Sequence, residues 1–74
     1  MNLADRIEAN SEVLLGKPVS KGTRVPVELV LRKLSEGANV GELLEAYPHL
    51  VKEDIQAALA YAAASVALEE MVTL

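Results

Sequence analysis

From position 26 onwards, hydrophobic residues recur with the period of an α-helix in three successive segments. The first segment predicts a helix over about residues 26–36. Pro26 suits the first turn of this helix, and Gly37 is typical of a helix end. The apolar face of the first helix consists of Val27, Val30, Leu31 and Leu34.

A second, shorter helix is predicted to begin at Asn39. Glu42 follows three residues later, and this pair has the spacing of a capping box, in which each side chain accepts a hydrogen bond from the other residue's backbone N–H. Pro48 disfavours helical geometry at the preceding residue and therefore ends the helix. The apolar face of the second helix consists of Val40, Leu43, Leu44 and Tyr47.

The third segment contains neither Gly nor Pro and predicts a helix from about residue 52 to residue 72. Glu53 and Asp54 place negative charge in its first turn, where the helix dipole favours it. The last ten residues are expected to project beyond a three-helix core. One face of the third helix carries Ile55, Leu59, Ala62 and Val66, and Ala58 lies beside them.

The segment before the first helix, GKPVSKGTRVPV at residues 16–27, alternates with the period of a β-strand. Lys21 and Gly22 form a candidate turn, and Pro18 and Pro26 restrict the segment to an edge strand or to strand ends. The sequence therefore predicts a short hairpin or a pair of edge strands here, preceded by an extended piece over residues 12–16. One face of the segment carries Val19, Lys21, Thr23 and Val25.

These elements together predict a mainly α-helical protein. Its three-helix core is similar to a helix-turn-helix, with a short N-terminal β-strand or hairpin segment. We interpret the chain as a single domain in three parts. They are an extended segment at residues 1–25, two helices with a turn at residues 26–50, and a long C-terminal helix at residues 51–74.

Composition limits how stable such a core can be. Hydrophobic residues make up 51% of the 74 positions, but Phe, Trp and Cys are absent. A core of this size rarely supplies more than about 3–5 kcal/mol, and the lack of Cys excludes disulfides and cysteine-based zinc sites. We therefore expect a homodimer or a higher oligomer. A polar N-terminus and the lack of a long uncharged apolar stretch lead us to expect a cytoplasmic protein without membrane contact.

Charge is unevenly distributed along the chain. The net charge is −4, yet residues 1–33 carry six of the seven cations and residues 34–74 carry seven of the eleven acids. Two halves of opposite sign are typical of a molecule that contacts two different partners. Chance segregation on a solvated surface explains the same pattern equally well.

Candidate catalytic residues are nearly absent. His49, the single histidine, lies in a Pro-containing turn without a Ser, Cys or Asp pairing signature, so a polar turn residue is the simpler interpretation. Glu53 and Asp54 are explained by the start of a helix. One histidine and no cysteine argue against a transition-metal site. We expect no enzymatic activity, no metal and no cofactor.

DNA binding is a second class of function to consider. In a helix-turn-helix, the N-terminal residues of the last motif helix enter the major groove. The acids Glu53 and Asp54 oppose this because phosphate neutralisation supplies much of the affinity. Cations on the strand segment are better candidates for contact, although they also suit an edge strand that must avoid aggregation. The candidate DNA-binding residues are Lys17, Lys21, Arg24, Lys52 and Gln56.

Three motifs occur in order along the chain: GKPV at residues 16–19, KGTRVPV at residues 21–27 and YPHL at residues 47–50. Over about residues 6–63 the chain therefore resembles the DUF433 family of small bacterial and archaeal proteins. The resemblance implies a helix-turn-helix-like fold with short N-terminal strands and dimerisation that involves the N-terminal segment. It also implies the antitoxin half of a type II toxin–antitoxin module, whose partner is a PIN-like ribonuclease toxin.

The chain departs from the family pattern at two places. Val51 stands where the family usually has Thr or Ser, so the third helix is expected to lose an N-cap, at a cost of about 1 kcal/mol. The tail past residue 65 lies outside the motifs, and we expect it to contact the toxin. The candidate toxin-binding residues are Leu68, Glu69, Glu70, Met71, Val72 and Leu74, and the candidate dimerisation residues are Val19, Val25 and Val27.

The antitoxin reading implies a non-enzymatic dimer that blocks its toxin and binds operator DNA at its own promoter. Two alternatives remain open at this point. One is a stand-alone DNA-binding transcriptional regulator of the helix-turn-helix type, against which the net charge of −4 argues. The other is a homo-oligomeric structural module with affinity for neither DNA nor a toxin.

Overall fold

The computed structural model describes residues 3–9 and 16–73, with side chains in the third helix described as far as Leu68. Of the extended piece expected over residues 12–16, all but Gly16 lies outside the described residues, as does Leu74. The predicted mainly helical fold with three helices and a short antiparallel strand pair is confirmed. The elements are a 3₁₀-helix at Leu3–Arg6, β1 at Ile7–Glu8, β2 at Val19–Ser20, α1 at Val27–Ser35, α2 at Val40–Ala46 and α3 at Lys52–Thr73.

The two short strands pair antiparallel, with Ile7 opposite Ser20 and Glu8 opposite Val19. On the other side of β2, Val19 bridges Pro26, and the Ser20 N–H donates to the Val25 carbonyl over 2.9 Å. β2 therefore lies between β1 and the segment that leads into α1. Both residues of β2 are fully buried. Pro18 and Pro26 lie outside β2, so they remove no backbone N–H donor from its strand pairing.

The predicted turn at Lys21 and Gly22 is present. Gly22 adopts a φ of +81°, which a residue with a Cβ rarely does. The Thr23 hydroxyl closes the turn, since it donates to the Ser20 carbonyl at 2.9 Å and accepts from the Val25 N–H at 3.1 Å. Arg24 also has a positive φ, of 60°, which is unfavourable for a side chain other than Gly, Asn or Asp.

Helices α1 and α2 begin and end where the sequence predicts, within one residue. Pro26 precedes α1 with an extended ψ of 142°, and Gly37 follows α1 with a φ of +102°. The capping box of α2 is confirmed. The Asn39 side chain accepts from the Glu42 N–H at 2.8 Å, and the Glu42 carboxylate accepts from the Asn39 N–H at 3.0 Å.

The start of α3 is stabilised by contacts of the Asp54 side chain that the sequence did not predict. Val51 precedes the helix and offers no side-chain cap, as predicted. However, the carboxylate of Asp54 accepts from the Val51 N–H at 3.0 Å, which preserves one half of a capping box. The other oxygen of Asp54 lies 3.1 Å from Nη1 of Arg6 at the end of the 3₁₀-helix. This salt bridge links the N-terminal segment to α3.

The core lies where α1, α2 and the first two turns of α3 meet. Ile7 and Val25 pack against it from the N-terminal segment. The prediction for Val40 was wrong. It is 39% exposed, because it occupies the first turn of α2 on the solvent side. Leu59 and Val66 were placed on one face with Ile55, but the core covers only Ile55. The buried core cluster consists of Val27, Val30, Leu43, Leu50, Ile55 and Ala58.

Candidate protein-binding site

An apolar groove of about 540 Å³ lies between α1 and α3. Val27 and Leu31 of α1 form one wall, and Ala62 and Val66 of α3 form the other. Pro18, which precedes β2, also lines the groove. The groove is open to solvent, so a partner can enter it without any rearrangement of the core.

Four polar side chains on the rim of this groove, those of Glu28, Arg32, Ser35 and Ser65, have partners within the protomer. The Ser65 hydroxyl donates to the Tyr61 carbonyl at 3.0 Å, and the Ser35 hydroxyl donates to the Arg32 carbonyl at 2.6 Å. The Arg32 guanidinium forms an ion pair with Glu28. Since these groups are satisfied locally, the groove offers mainly carbon surface, which favours an apolar side chain or helix face as its occupant.

The second half of α3 is an unusual surface for a helix in solution. Residues 55–68 carry no charged side chain, and the residues from Leu59 to Leu68 are exposed or half-buried. Leu59, Tyr61, Val66 and Leu68 are 49%, 42%, 52% and 62% exposed, respectively. A surface helix normally has a polar face towards water, and a helix that is apolar all round is normally buried. This part of α3 therefore has the properties of a protein-binding surface.

The predicted toxin-binding residues belong to this end of the molecule. The described backbone of α3 reaches Thr73, as predicted. Leu68 is the most exposed of the large apolar residues of α3 whose side chains the structure describes. The side chains of Glu69, Glu70, Met71 and Val72, and all of Leu74, lie outside the described residues. Their assignment to toxin binding stays a prediction.

The predicted DNA-binding residues lie on several elements. Lys21 and Arg24 lie exposed in and just after the turn that follows β2, and within the described residues neither forms a salt bridge. Lys17 lies 3.6 Å from Glu28, which neutralises part of its charge. Lys52 and Gln56 are exposed at the start of α3. The candidate DNA-binding residues thus lie on the segment around β2 and on the first turns of α3.

The predicted dimerisation residues are largely used within the protomer. Val19 is fully buried and Val27 is 2% exposed, while Val25 is half-buried against the core. Their side chains stabilise the attachment of the strand segment to α1. These side chains could contact a second copy of the chain only if the strand segment separated from α1.

Two further features of the described residues bear on function. They contain no cluster of three or more histidine or acidic side chains that could hold a metal ion. None of their helices is both long enough and apolar enough to cross a membrane. His49, the candidate turn residue, is exposed in the turn between α2 and α3.

Sequence reasoning located the exposed end of α3 but missed the groove. The groove depends on how α1 and α3 lie relative to each other, and no local pattern encodes that. The link between Arg6 and Asp54 was missed for the same reason, because 48 residues separate the two.

The fold and this surface define a small three-helix protein with a paired N-terminal strand segment and a helix that extends past its core. Residues 7–62 match the family described as "Protein of unknown function (DUF433)". The match spans most of the chain, so the protein belongs to the DUF433 family, as the three motifs had indicated.

A relative in Sinorhizobium fredii (strain NBRC 101917 / NGR234), "Uncharacterized protein y4eO", is 41% identical over 59 residues. The alignment covers 80% of this chain but 27% of the relative. The chain thus spans about a quarter of the length of this curated relative. No solved structure matches the chain significantly.

Proposed function

We propose that this protein is a non-enzymatic antitoxin that binds and neutralises a PIN-like ribonuclease toxin. The observation that supports this proposal is the exposed, uncharged apolar surface of α3 beside an apolar groove. Such a surface suits a stable protein partner, since helix-in-groove contacts use apolar side chains at helical spacing. The nature of the partner follows from the family resemblance.

The distribution of charge suggests how inhibition works. Residues 34–74 carry a net charge of −6, and Glu69 and Glu70 lie near the end of α3. A ribonuclease must attract RNA with a basic surface, and an acidic helix end that occupies this surface excludes the substrate. The apolar face of α3 supplies affinity in this mechanism, and the acids supply steering and competition with RNA.

Co-expression with the product of the adjacent gene tests the proposal. We expect the neighbour to stop growth alone, to be harmless together with this protein, and to copurify with it. Leu68→Glu should abolish copurification, whereas Val40→Glu should not, because Val40 is an exposed apolar residue on α2, away from the surface. A neighbour that is harmless and does not bind contradicts the antitoxin function at this locus.

The electrostatic part of the mechanism has its own test. Glu69→Lys should weaken neutralisation of the toxin, and Glu45→Lys, the same change at an exposed position of α2, should leave it intact. If both variants and the double reversal Glu69→Lys with Glu70→Lys neutralise the toxin as well as the wild type does, the acidic end plays no part in inhibition. Binding through Leu68 would remain compatible with that result.

A second candidate function is DNA binding, either as promoter autoregulation by the antitoxin or by a stand-alone regulator. It is favoured by the turn cations Lys21 and Arg24, which form no salt bridge within the described part of the chain. Binding of promoter DNA should then weaken steeply with salt, and Arg24→Gly should reduce both the affinity and the salt slope. Glycine is compatible with the positive φ at this position, so the fold should be retained.

A further inference from the structure

A second pattern runs along α3 on a face next to the groove. Residues on this face recur at alternating intervals of four and three, which is the spacing of a heptad repeat. Over the length of α3 this spacing places them in one stripe along the helix. The α3 stripe consists of Lys52, Gln56, Leu59, Ala63 and Val66, and the same spacing continues to Glu70.

Nothing in the described part of the protomer covers the α3 stripe. All five residues from Lys52 to Val66 are exposed. Leu59 and Val66, its large apolar members, are about half accessible to solvent, as noted above. Lys52 forms no salt bridge within the described residues. The stripe is thus an apolar centre with a cation at one end and, by sequence, an acid at the other.

We propose that a second copy of this chain covers the α3 stripe, with the two α3 helices antiparallel about a two-fold axis. The sequence fixes the register. Leu59 lies opposite the partner's Ala63, Gln56 opposite the partner's Val66, and Lys52 opposite the partner's Glu70. Because the contact is isologous, each of these pairs occurs twice.

Complementarity of size and charge selects this arrangement over a parallel one. In the antiparallel register the large Leu59 meets the small Ala63, and opposite charges meet at both ends. A parallel pair would place Lys52 against Lys52 and Glu70 against Glu70, and it would leave a gap at Ala63. The antiparallel pair also places the negative end of each helix dipole beside the positive end of the other. Surface charges of this kind determine orientation more than affinity.

The α3 dimer covers Leu59, Val66 and Glu70, but it leaves Leu68 and the rest of the groove region accessible to a toxin. Leu68 and the groove between α1 and α3 lie on other sides of the helix, apart from Val66, which borders both. The inference does not rest on the toxin proposal. The α3 dimer excludes DNA binding through the start of α3, because the dimer would cover Lys52 and Gln56. It also requires no exchange of the N-terminal strands, whose valines are already buried.

The first test is sedimentation equilibrium of the full chain with one pair of matched variants. The stripe spans about 27 Å of helix, a small contact for which we expect a dissociation constant in the range of about 1–100 µM. Ala63→Glu should raise this constant at least tenfold. Ala64→Glu, the same change at the adjacent exposed position outside the stripe, should leave it within about twofold. A wild-type protein that stays monomeric up to about 500 µM, or equal dimerisation of both variants, overturns the proposal.

Charge exchange tests the antiparallel register without any apolar substitution. Lys52→Glu alone and Glu70→Lys alone should each weaken dimerisation, by about tenfold at low ionic strength, because like charges then meet at both ends. An equimolar mixture of the two variants should form heterodimers as readily as the wild type dimerises, measured by native mass spectrometry. The double variant should also recover. If neither the mixture nor the double variant recovers, the register is wrong. Circular dichroism shows whether each variant keeps its helix content.

Discussion

At the scale of single residues, the ion pair between Asp54 and Arg6 is a tertiary contact that no local sequence pattern indicates. The Asp54 side chain is 6% exposed, accepts from the Val51 N–H and pairs with Arg6. Asp54→Asn retains the shape but removes the charge, so the free energy of unfolding should fall by about 1–2 kcal/mol. Glu53→Gln, the same change one position earlier, should have little effect. Urea unfolding at a fixed protein concentration measures both, and equal losses in the two variants would contradict the role assigned to Asp54.

Two hydroxyl groups in the β2 turn should respond in opposite ways to removal. The Ser20 hydroxyl is buried and has no hydrogen-bond partner within the described residues, so Ser20→Ala should leave stability unchanged or raise it by up to about 1 kcal/mol. The Thr23 hydroxyl makes two hydrogen bonds, and Thr23→Val should lower the free energy of unfolding by about 1–2 kcal/mol. The same urea measurement compares them. A loss in Ser20→Ala as large as that in Thr23→Val would show that Ser20 is satisfied in solution.

At the scale of secondary-structure elements, local signals sufficed to predict the three helices. Gly37, the capping box at Asn39 and the uninterrupted sequence of α3 each act within a few residues, so their effects are visible in the sequence. The 3₁₀-helix and β1 were not predicted as such, because a strand of two residues has no measurable alternation. β1 is defined by its antiparallel pairing with β2, a contact between distant parts of the sequence.

The start of α3 offers a prediction about an element as a whole. Val51→Thr should complete the capping box with Asp54. The hydroxyl can accept from the Asp54 N–H, which in the structure donates to the Val51 carbonyl at 2.9 Å, while the carboxylate keeps the N–H of residue 51. The midpoint of thermal unfolding should rise, by an amount equivalent to about 1 kcal/mol. Val40→Thr is the matched control, since α2 is already capped by Asn39. Equal shifts in both variants would mean that capping is not the cause.

At the scale of the whole molecule, composition leads us to expect a protomer that needs further stabilisation, but it does not indicate which surface would supply it. The expectation is based on the absence of Phe, Trp and Cys, and it stays a prediction. Where that stabilisation acts depends on which faces the core leaves uncovered. Leu59 and Val66 fit a helix face in the sequence as well as Ile55 does. The packing of α1, α2 and the N-terminal segment against α3 decides that Ile55 is buried and the other two are not. Hydrophobic periodicity alone therefore does not distinguish an exposed apolar helix face from one that packs in the core.

Unfolding of the assembled molecule should depend on protein concentration. If α3 pairs across a two-fold axis, folding and association are coupled, and each tenfold rise in protein concentration stabilises the dimer by about 1.4 kcal/mol. For chains of this size, that corresponds to a rise of about 3–6 °C in Tm per tenfold concentration. Differential scanning calorimetry between about 20 µM and 1 mM should show this rise for the wild type. Ala63→Glu should show a much smaller rise over this range, because a larger share of its molecules is monomeric at each concentration. A wild-type Tm that stays constant over the same range would instead mean that the small core of the protomer is sufficient by itself and that the exposed stripe of α3 serves a different partner.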